Sequence, residues 1–549
     1  MVQFVSEREL AETYENGWET VTQYRTATQL REDNPQMTRA EIARRVDRPP
    51  SAVRGWLAED KVPTVVSAVR TARERGWLGV EPDSERFRAL NQLVAWIFSG
   101  GGIATDTFAP HFSVDDSLML AVLAQHFRWL QLGYRCRHLD DPDRHLEVVP
   151  TDGGVILGRI LSVLGAPRGV KAQADNLSLP SYLSAVDPDL QRDFIRIHLL
   201  NCTNNPEQVG AYIHSTQSEQ QARQLRDLVV STTLGSATAN SHSQVWVSAA
   251  AVRDLAGLKT RAGRTTTPAD ASLTENSIAR LRSGLATVSL YGTQIPPTER
   301  AIASTFRRTK TPGGYRYHQC YQAARDRDES RTTLATDLGV PESSIQSWRR
   351  GSRPYATSSL ERAYERGWCE PPADSETAMT LTALLTWILA RGRIREDYYP
   401  VFGASTTSQR ERFDELADTL SLSYGTVRPD DPEWPTELRL DKDGTLLGRI
   451  LYALGAPRVN QPQQSAPLPP IAYYHPRHAQ QVAIIWCLHH ADTIPGTSTE
   501  AVTITIPPRA GEQFPDSLAD VLSGPLNWAI ERPEPRTLVV IDRLPAPAV

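Results

Sequence analysis

The arginines of this sequence are the side chains best suited to a chemical task. Lysine and arginine together number 59, and only five of these are lysines. The planar guanidinium group forms paired hydrogen bonds with phosphate oxygens and with the edge of guanine. An arginine excess therefore permits nucleic-acid binding, although a GC-rich or halophilic genome would produce the same bias. The net charge of −5 argues against a protein that coats nucleic acid indiscriminately.

The spacing of apolar residues within 38–58 predicts two short helices, and the second carries small polar and arginine side chains on its outer face. The stripe Ala40, Ile42, Ala43 and Val46 predicts a first helix, and Asp47–Pro50 predicts a turn because proline cannot continue a helix. A second helix follows, with Val53, Trp56 and Leu57 facing inward and Ser51, Arg54 and Gly55 facing outward.

Residues 330–350 repeat this pattern with different side chains. The predicted core residues are Leu334, Ala335, Leu338 and Val340, and Gly339 supplies a left-handed turn. A second helix then starts at Pro341, with Ile345 and Trp348 facing inward. The outward residues are Ser343, Ser344, Gln346, Arg349 and Arg350. Both segments resemble a helix-turn-helix, whose second helix enters the DNA major groove. The resemblance implies that these outward residues contact DNA, while a helical hairpin without that role is the alternative.

Longer repeats show that the whole chain is internally similar. GRILSVLGAPR at Arg159 and GRILYALGAPR at Arg449 are offset by 290 residues. ERGW recurs at Glu74–Trp77 and Glu365–Trp368, and AWIFSGGGI (Ala95–Ile103) corresponds to TWILARGRI (Thr386–Ile394). We interpret the chain as a tandem duplication of one unit.

The apolar helices LVAWIFSGGGI (Leu93–Ile103) and LLTWILARGRI (Leu384–Ile394) end in glycine and lead into predicted strands. They resemble the LAGLIDADG motif of homing endonucleases. A second motif helix is placed by the resemblance at Asp193–Asn204 and at Ile484–Ile494. Between the two motifs, Gly154–Pro167 is followed by Lys171 and Leu179–Pro180, in the order typical of that family. The family's fold implies two αββαββα repeats in each half, with the sheets forming a saddle on DNA.

The resemblance also fixes where the catalytic acids should be. Two-metal cleavage of a phosphodiester needs carboxylates that hold the cations. The aligned positions are Gly100 and Cys202 in the first half and Arg391 and Asp492 in the second. Asp492 is the residual acid candidate, and it faces an arginine. We therefore expect no catalytic residues, no bound metal, no cofactor and no nuclease activity.

In that family, alternate residues of the strands face the major groove. The corresponding segments are Thr105–Ser113, Tyr134–Val149, Glu396–Phe402 and Gly425–Leu440. Candidate groove or phosphate contacts within or beside them are Arg135, Arg137, Arg144, Arg428 and Arg439, for which solvated loop positions are the alternative. The acidic segments Asp140–Asp143 and Asp430–Glu433 should lie at loop tips away from the duplex.

The expected fold class is α+β, in four domains: a helical domain with a helix-turn-helix at 1–80, a LAGLIDADG-like domain at 81–305, a second helix-turn-helix domain at 306–370 and a second LAGLIDADG-like domain at 371–549. No apolar run is long enough to cross a membrane, and five scattered cysteines form no CxxC pair. We therefore expect a cytoplasmic, nucleoid-associated protein of a bacterium or archaeon, without membrane contact and monomeric through its internal symmetry.

These features predict a sequence-specific double-stranded DNA-binding protein that has lost the acids of a homing endonuclease. It would act as a transcriptional regulator or as a replicon or DNA-site binding factor. Two alternatives stay open. One is a metal-dependent homing-type nuclease that works through Asp492. The other is an RNA-binding, maturase-like or assembly factor.

Overall fold

The computed structural model describes residues 4–59, 61–82, 84–138, 144–171, 177–202, 210–214, 216, 218–240, 243–257, 282, 285–286, 288, 297–306, 314–372, 375–429, 436–459, 468–474, 476–492, 501–508, 510–511, 513–523, 526 and 528–543. The acidic segments Asp140–Asp143 and Asp430–Glu433 lie outside these residues.

The elements of the first half are α1 (Glu7–Glu12), α2 (Gly17–Asp33), α3 (Arg39–Arg45), α4 (Pro50–Ala58), α5 (Thr64–Glu74), α6 (Glu85–Gly100), β1 (Gly101–Ile103), β2 (Pro110–Val114), α7 (Ser117–Trp129), β3 (Tyr134–Arg137), β4 (Leu146–Pro150), α8 (Gly154–Val163), a 3-10 turn (Ser181–Ala185), α9 (Pro188–Cys202), β5 (Ala211–Ile213), α10 (Glu219–Thr232), β6 (Ala237–Ala239), β7 (Val245–Val247) and α11 (Ala249–Leu255).

The second half contains α12 (Glu299–Ser304), α13 (Gly314–Asp326), α14 (Arg331–Leu338), α15 (Glu342–Arg349), α16 (Tyr355–Glu365), α17 (Glu376–Arg391), β8 (Gly392–Ile394), β9 (Pro400–Ala404), α18 (Thr407–Thr419), β10 (Tyr424–Val427), β11 (Thr436–Leu440), α19 (Gly444–Leu454), α20 (Ile471–Tyr474), α21 (Pro476–His490), β12 (Val502–Thr505), α22 (Phe514–Ser523), β13 (Trp528–Glu534) and β14 (Thr537–Arg543). The fold class is α+β, as predicted.

Helices α2–α4 form a first trihelical module and α13–α15 form a second. The first encloses Ala27, Ile42, Ala43, Val46 and Val53, and the second encloses Tyr317, Cys320, Tyr321, Ala324, Leu334, Leu338, Val340, Ile345 and Trp348. The turn residue has a left-handed backbone in both, Asp47 at φ 51° and Gly339 at φ 66°. The predicted short helices and the predicted turn are therefore present in both modules.

Two details of the predicted modules are wrong. Ala40, placed in the buried stripe, is exposed, because α3 begins at Arg39 and turns Ala40 away from Ile42 and Ala43. Gly55, placed on the outer face of α4, is buried. The chain folds back there, and the Lys61 amide donates to the Gly55 carbonyl at 3.0 Å.

Each half contains an antiparallel sheet of four strands with one shared register. The strand orders are β1-β2-β4-β3 and β8-β9-β11-β10. Gly101 pairs with Phe112 as Gly392 pairs with Phe402, and Arg137 pairs with Glu147 as Val427 pairs with Glu437. Corresponding residues of the two sheets are thus 290 or 291 positions apart.

The predicted strand Thr105–Ser113 is wrong in its first part. β1 ends at Ile103, and β2 begins only at Pro110. A turn joins them, in which Phe108 has φ 58°. The predicted strand Glu396–Phe402 is also wrong in its first part, because β9 begins only at Pro400 and Tyr398 in the preceding turn has φ 67°.

We call residues 85–255 the first body and residues 376–543 the second body. Each begins with a helix, the four-stranded sheet and two further helices in the order αββαββα. The next helix packs against the helix that begins the body: α9 against α6 in the first body, and α21 against α17 in the second. It leads into a three-stranded antiparallel sheet, ordered β5-β7-β6 or β12-β14-β13. The first repeat of each body therefore has the predicted order. The second repeat departs from αββαββα among the described residues, because its sheet has three strands and, in the second body, no described helix follows β14.

The repeated GRIL motif fixes the turn between the first two strands of each sheet. A Cβ atom on Gly158 would lie 1.9 Å from the Phe108 carbonyl oxygen, and one on Gly448 would lie 1.7 Å from that of Tyr398. Only a glycine allows this approach, so the motif's glycine is explained by packing.

The arginine of the same motif joins the body to the helix that opens each half. Arg159 donates to the backbone and hydroxyl oxygens of Thr13, and Arg449 donates to those of Thr305 at 2.7 and 3.1 Å. Both guanidinium groups also stack on aromatic rings, Arg159 on Tyr14 at 3.7 Å and Arg449 on Phe306 at 3.9 Å.

The repeated ERGW motif makes a second joint of the same kind. Arg75 pairs with Asp152, which lies just before α8. In the second half, Arg366 lies 2.6 Å from Asp443, which lies just before α19. Trp77 and Trp368 are fully buried beside these arginines. The most similar stretches of the two halves therefore hold the helices beside each module against the body.

The halves also contact each other. Arg128 of α7 donates to the Tyr452 carbonyl at 3.1 Å and stacks over its ring at 3.8 Å. The Ser117 hydroxyl lies 3.2 Å from that of Tyr473. Helix α12, which the expected boundary at 305/306 assigns to the first LAGLIDADG-like domain, packs against α16 and α19 of the second half and also contacts α6 of the first. Among the described residues, no helix is long and apolar enough to cross a membrane.

Candidate nucleic-acid interface

Helix α4 of the first module presents two of the predicted contact residues to solvent. Ser51 lies in its first turn and Arg54 one turn later, and both are exposed. The Arg54 guanidinium lies 3.0 Å from the Glu59 carboxylate, which also pairs with Lys61 at 2.8 Å. Exposed pairs of this kind are worth at most about 1 kcal/mol, so a phosphate can compete for Arg54.

The five contact residues predicted on helix α15 of the second module differ in their exposure and partners. Ser343 and Arg350 are exposed, while Ser344 and Gln346 are half-buried. The Arg349 guanidinium is turned back onto the module, where it donates to the Arg327 carbonyl at 2.7 Å and the Glu329 carbonyl at 2.9 Å. Arg349 therefore ties α15 to the end of α13, a structural role that the sequence pattern did not predict.

The exposed face of the first sheet carries Arg135 and Arg137 on its outer strand β3. Both are exposed, whereas the intervening Cys136 faces the core. Glu147 and His111 lie on the same face, because Arg137 pairs with Glu147 and Glu147 with Ser113 across the strands. Burial lowers the pKa of His111, and Glu147 offsets this only in part. The cationic charge of this face therefore comes from the two arginines at neutral pH.

Arg144 and Arg428 are exposed beside the strands rather than within them. Arg144 precedes β4, and Arg428 follows β10 with a left-handed backbone at φ 57°. The structure thus places four of the five predicted strand arginines in solvent.

The fifth, Arg439, belongs to an ionic cluster on the second sheet. It lies 2.6 Å from the Glu437 carboxylate, which Arg393 approaches to 2.8 Å from the other side. Burial raises the pKa of Glu437, but the two arginines outweigh it and hold the pKa below its usual value. Arg393 and Glu437 were not among the predicted contact residues. Their shared face follows from the strand register, in which they match Gly102 and Glu147 of the first sheet.

A groove of about 350 Å³ opens beside this cluster. It is lined by Arg391, Gly392, Arg393, Val401, Gly403, Glu437, His490 and Pro507. The lining comes from the end of α17, from three strands of the sheet and from the end of α21. The groove therefore lies where the paired helices α17 and α21 end beside the sheet face that carries Arg393 and Arg439.

The four positions predicted for catalytic acids lie at or just beyond the ends of the paired helices. Gly100 ends α6, and a Cβ atom there would lie 3.2 Å from the Asn201 side chain of α9. Cys202 ends α9, but its side chain is outside the described residues. Arg391 ends α17, whereas Asp492 lies beyond the end of α21 at His490. The Asp492 carboxylate accepts a hydrogen bond from the Thr503 amide at 3.0 Å, which ties it to β12.

Other polar groups at these helix ends are engaged in packing. Lys171 donates to the Ile97 and Phe98 carbonyls at the end of α6, at 2.8 and 3.2 Å. The His489 ring lies edge-on to Trp387 at 4.7 Å, and His490 Nε2 lies 3.1 Å from the Ala390 carbonyl. Within the described ranges, no group of three or more His, Cys, Asp or Glu side chains is arranged to hold a metal ion.

Comparison with protein-family models, with curated proteins and with solved structures finds no match to this chain.

Proposed function

We propose that this chain is a sequence-specific double-stranded DNA-binding protein. One observation carries the proposal: each half presents polar and cationic side chains both on the last helix of its trihelical module and on the exposed face of its four-stranded sheet. Ser51 and Arg54 with Arg135 and Arg137 form the first set. The modules offer a helix sized for the major groove, and the arginines offer phosphate contacts.

The proposal includes binding without cleavage. Three of the four acid positions hold no carboxylate, since they are Gly100, Cys202 and Arg391. The fourth, Asp492, accepts a hydrogen bond from the Thr503 amide of β12. A metal site that lacks its facing carboxylate should hold a divalent cation poorly. We therefore place the chain among descendants of homing endonucleases that keep a DNA-binding surface and have lost the nuclease chemistry.

Tandem duplication is the simplest origin of the two halves, and the matched strand registers favour it. Two halves on one chain would supply a two-part DNA surface without a second subunit, so we expect a monomer. Such a protein would act in the cytoplasm at a particular DNA site, as a transcriptional regulator or a replicon-binding factor.

Selection from a random duplex library tests this function. The full chain would be incubated at physiological salt with magnesium, and bound and cut molecules would be sequenced separately. We expect enrichment of a long two-part motif in uncut DNA. Enrichment of cut ends would instead establish a nuclease. Failure to enrich any duplex, with tighter binding to structured RNA at the same salt, would replace DNA by RNA as the partner.

A further inference from the structure

The groove at the end of α17 has the composition of an anion site. Its base is the exposed face of the second sheet, and its rim includes the last residue of α17 and the last residue of α21. Two of its lining side chains, Arg391 and Arg393, carry guanidinium groups.

A glycine on the neighbouring strand makes room for Arg391. A Cβ atom on Gly403 would lie 2.8 Å from the Arg391 carbonyl oxygen and 3.2 Å from Arg391 Cγ. The corresponding residue of the first sheet is Ser113, which pairs with Glu147 as Gly403 pairs with Glu437. Gly403 thus allows the Arg391 side chain to lie along the sheet at the groove.

The charges in and beside the groove do not cancel. Glu437 is ionised and shared between Arg393 and Arg439, at 2.8 and 2.6 Å. No described residue forms an ion pair or a side-chain hydrogen bond with the Arg391 guanidinium. Together with Arg439, the groove lining holds three guanidinium groups and the single carboxylate of Glu437, and Asp492 is not part of the lining. Arg391 therefore keeps its donors available for an anion.

We propose that this groove binds one phosphate group, with Arg391 as the principal ligand and Arg393 as the second. The planar guanidinium matches two phosphate oxygens at once, and a partly enclosed groove strengthens such charge-assisted bonds. Resting on the proposed function, the inference assigns this phosphate to the backbone of bound duplex DNA. The position that would carry a metal-binding acid in a nuclease would then hold the phosphate directly, without a metal.

The first body lacks these groups. Gly100, Gly102 and Val149 stand at the positions of Arg391, Arg393 and Arg439, as the shared strand registers require. Its cation at this helix end, Lys171, donates to the Ile97 and Phe98 carbonyls. The phosphate site is therefore a property of the second body.

The test uses the full chain and two probes, inorganic pyrophosphate and a duplex of random sequence. Arg391→Ala and Arg391→Gln remove the principal ligand. Arg395→Ala is the matched control, because Arg395 lies close by in the chain and pairs with Asp397 at 3.5 Å outside the groove lining. Thermal unfolding would confirm that all variants are folded.

We expect both Arg391 variants to weaken pyrophosphate binding, measured by calorimetry, about tenfold, the usual scale for one charge-assisted contact. For the duplex, the slope of log affinity against log salt should become shallower by about 0.9, the contribution of one phosphate. Arg395→Ala should change neither value.

Equal pyrophosphate affinity in the wild type and both Arg391 variants would overturn the phosphate site. Duplex binding whose salt slope is unchanged in the Arg391 variants would also overturn this site, but it would leave the proposed function intact. Pyrophosphate binding that depends on Arg391, without any duplex binding, would keep the groove as a phosphate site and remove the proposed function.

Discussion

The two bodies share one strand register and carry their charges in different places. In the first, the paired helices α6 and α9 bury Arg88, Asp193 and Arg196, and the exposed sheet arginines lie on the outer strand β3. In the second body Met379 stands at the position of Arg88, no described Asp, Glu, Lys or Arg side chain of α17 or α21 is buried, and the sheet arginines lie on β8 and β11.

The two bodies thus share a backbone geometry but not a placement of charges. The glycines and arginines that fix the sheet and the module joint are the same in both halves, as Gly158 and Gly448 illustrate. The sheet arginines lie on different strands of equivalent sheets, on β3 in the first and on β8 and β11 in the second. Because the two surfaces differ, we expect the bound DNA sequence to be asymmetric.

The largest effect should come from the buried charges of the first body. Asp193 lies 2.5 Å from Arg196 and 3.4 Å from Arg88, and all three are buried. Asp193→Ala should lower the free energy of unfolding by about 3–5 kcal/mol, because it leaves buried guanidinium groups without their carboxylate. Denaturant unfolding of the full chain measures this.

The second body provides the control for that substitution. Glu376, at the position of Glu85, is 79% exposed and pairs with Arg477 at 3.3 Å. Glu376→Ala should change stability by less than about 0.5 kcal/mol. A similar small loss for Asp193→Ala would show that the ionic cluster does not stabilise the first body.

The shared GRIL glycines should respond equally in the two halves. Gly158→Ala and Gly448→Ala would each press a methyl group into a carbonyl oxygen, and each should lower the free energy of unfolding by about 1–3 kcal/mol. Gly55→Ala is a control, because the nearest atom to its added Cβ lies at 3.6 Å. Clearly unequal losses at Gly158 and Gly448 would mean that the two turns are not equivalent.

The next difference concerns acid stability. Burial, with a smaller effect of Arg88, lowers the pKa of His126 to about 3, so the imidazole is neutral in the folded protein. The unfolded chain takes up this proton near pH 6.5, so stability is complete above pH 6.5 and decreases as the pH falls towards 3.

The loss should reach at most about 1.4 kcal/mol per pH unit for this one proton. His126→Leu introduces the residue type of the corresponding Leu416 of the second body. Unfolding at pH 5 and pH 7 should therefore depend less on pH in this variant. An unaltered pH dependence in His126→Leu would contradict the account.

The smallest effect concerns the first sheet's arginines. Arg135→Ala combined with Arg137→Ala should make the salt slope of duplex binding shallower by about 2 without changing stability, because two phosphate contacts are lost. The matched control is Arg223→Ala with Arg226→Ala on α10, where both arginines pair with neighbouring acids on their own helix. Equal effects of the two double variants would show that the sheet face has no special role.

The local parts of the fold could be predicted because their signals are local. Thr38 and Ser330 cap α3 and α14, and Gly339 takes the left-handed turn, so sequence pattern alone placed these helices. The turns at Phe108 and Tyr398 were missed because they depend on glycines about 50 residues away, Gly158 and Gly448.

The candidate site was predicted less completely for the same reason. Which face of a strand a side chain occupies depends on the pairing register, so Arg393 and Glu437 could not be assigned to one cluster from their spacing. Arg349 fits the pattern of an outward helix residue, but carbonyl groups at the end of α13 and beyond it accept its hydrogen bonds.

DNA binding by this protein is tested by the affinity of the full chain for a random-sequence duplex across a range of salt concentrations, with a chelator present. We predict a log–log slope of about −5, since each neutralised phosphate contributes about −0.9 and six exposed arginines are candidate contacts: Arg54, Arg135, Arg137, Arg144, Arg350 and Arg428. A slope near zero, or no binding at low salt, would contradict a DNA-binding surface on this protein.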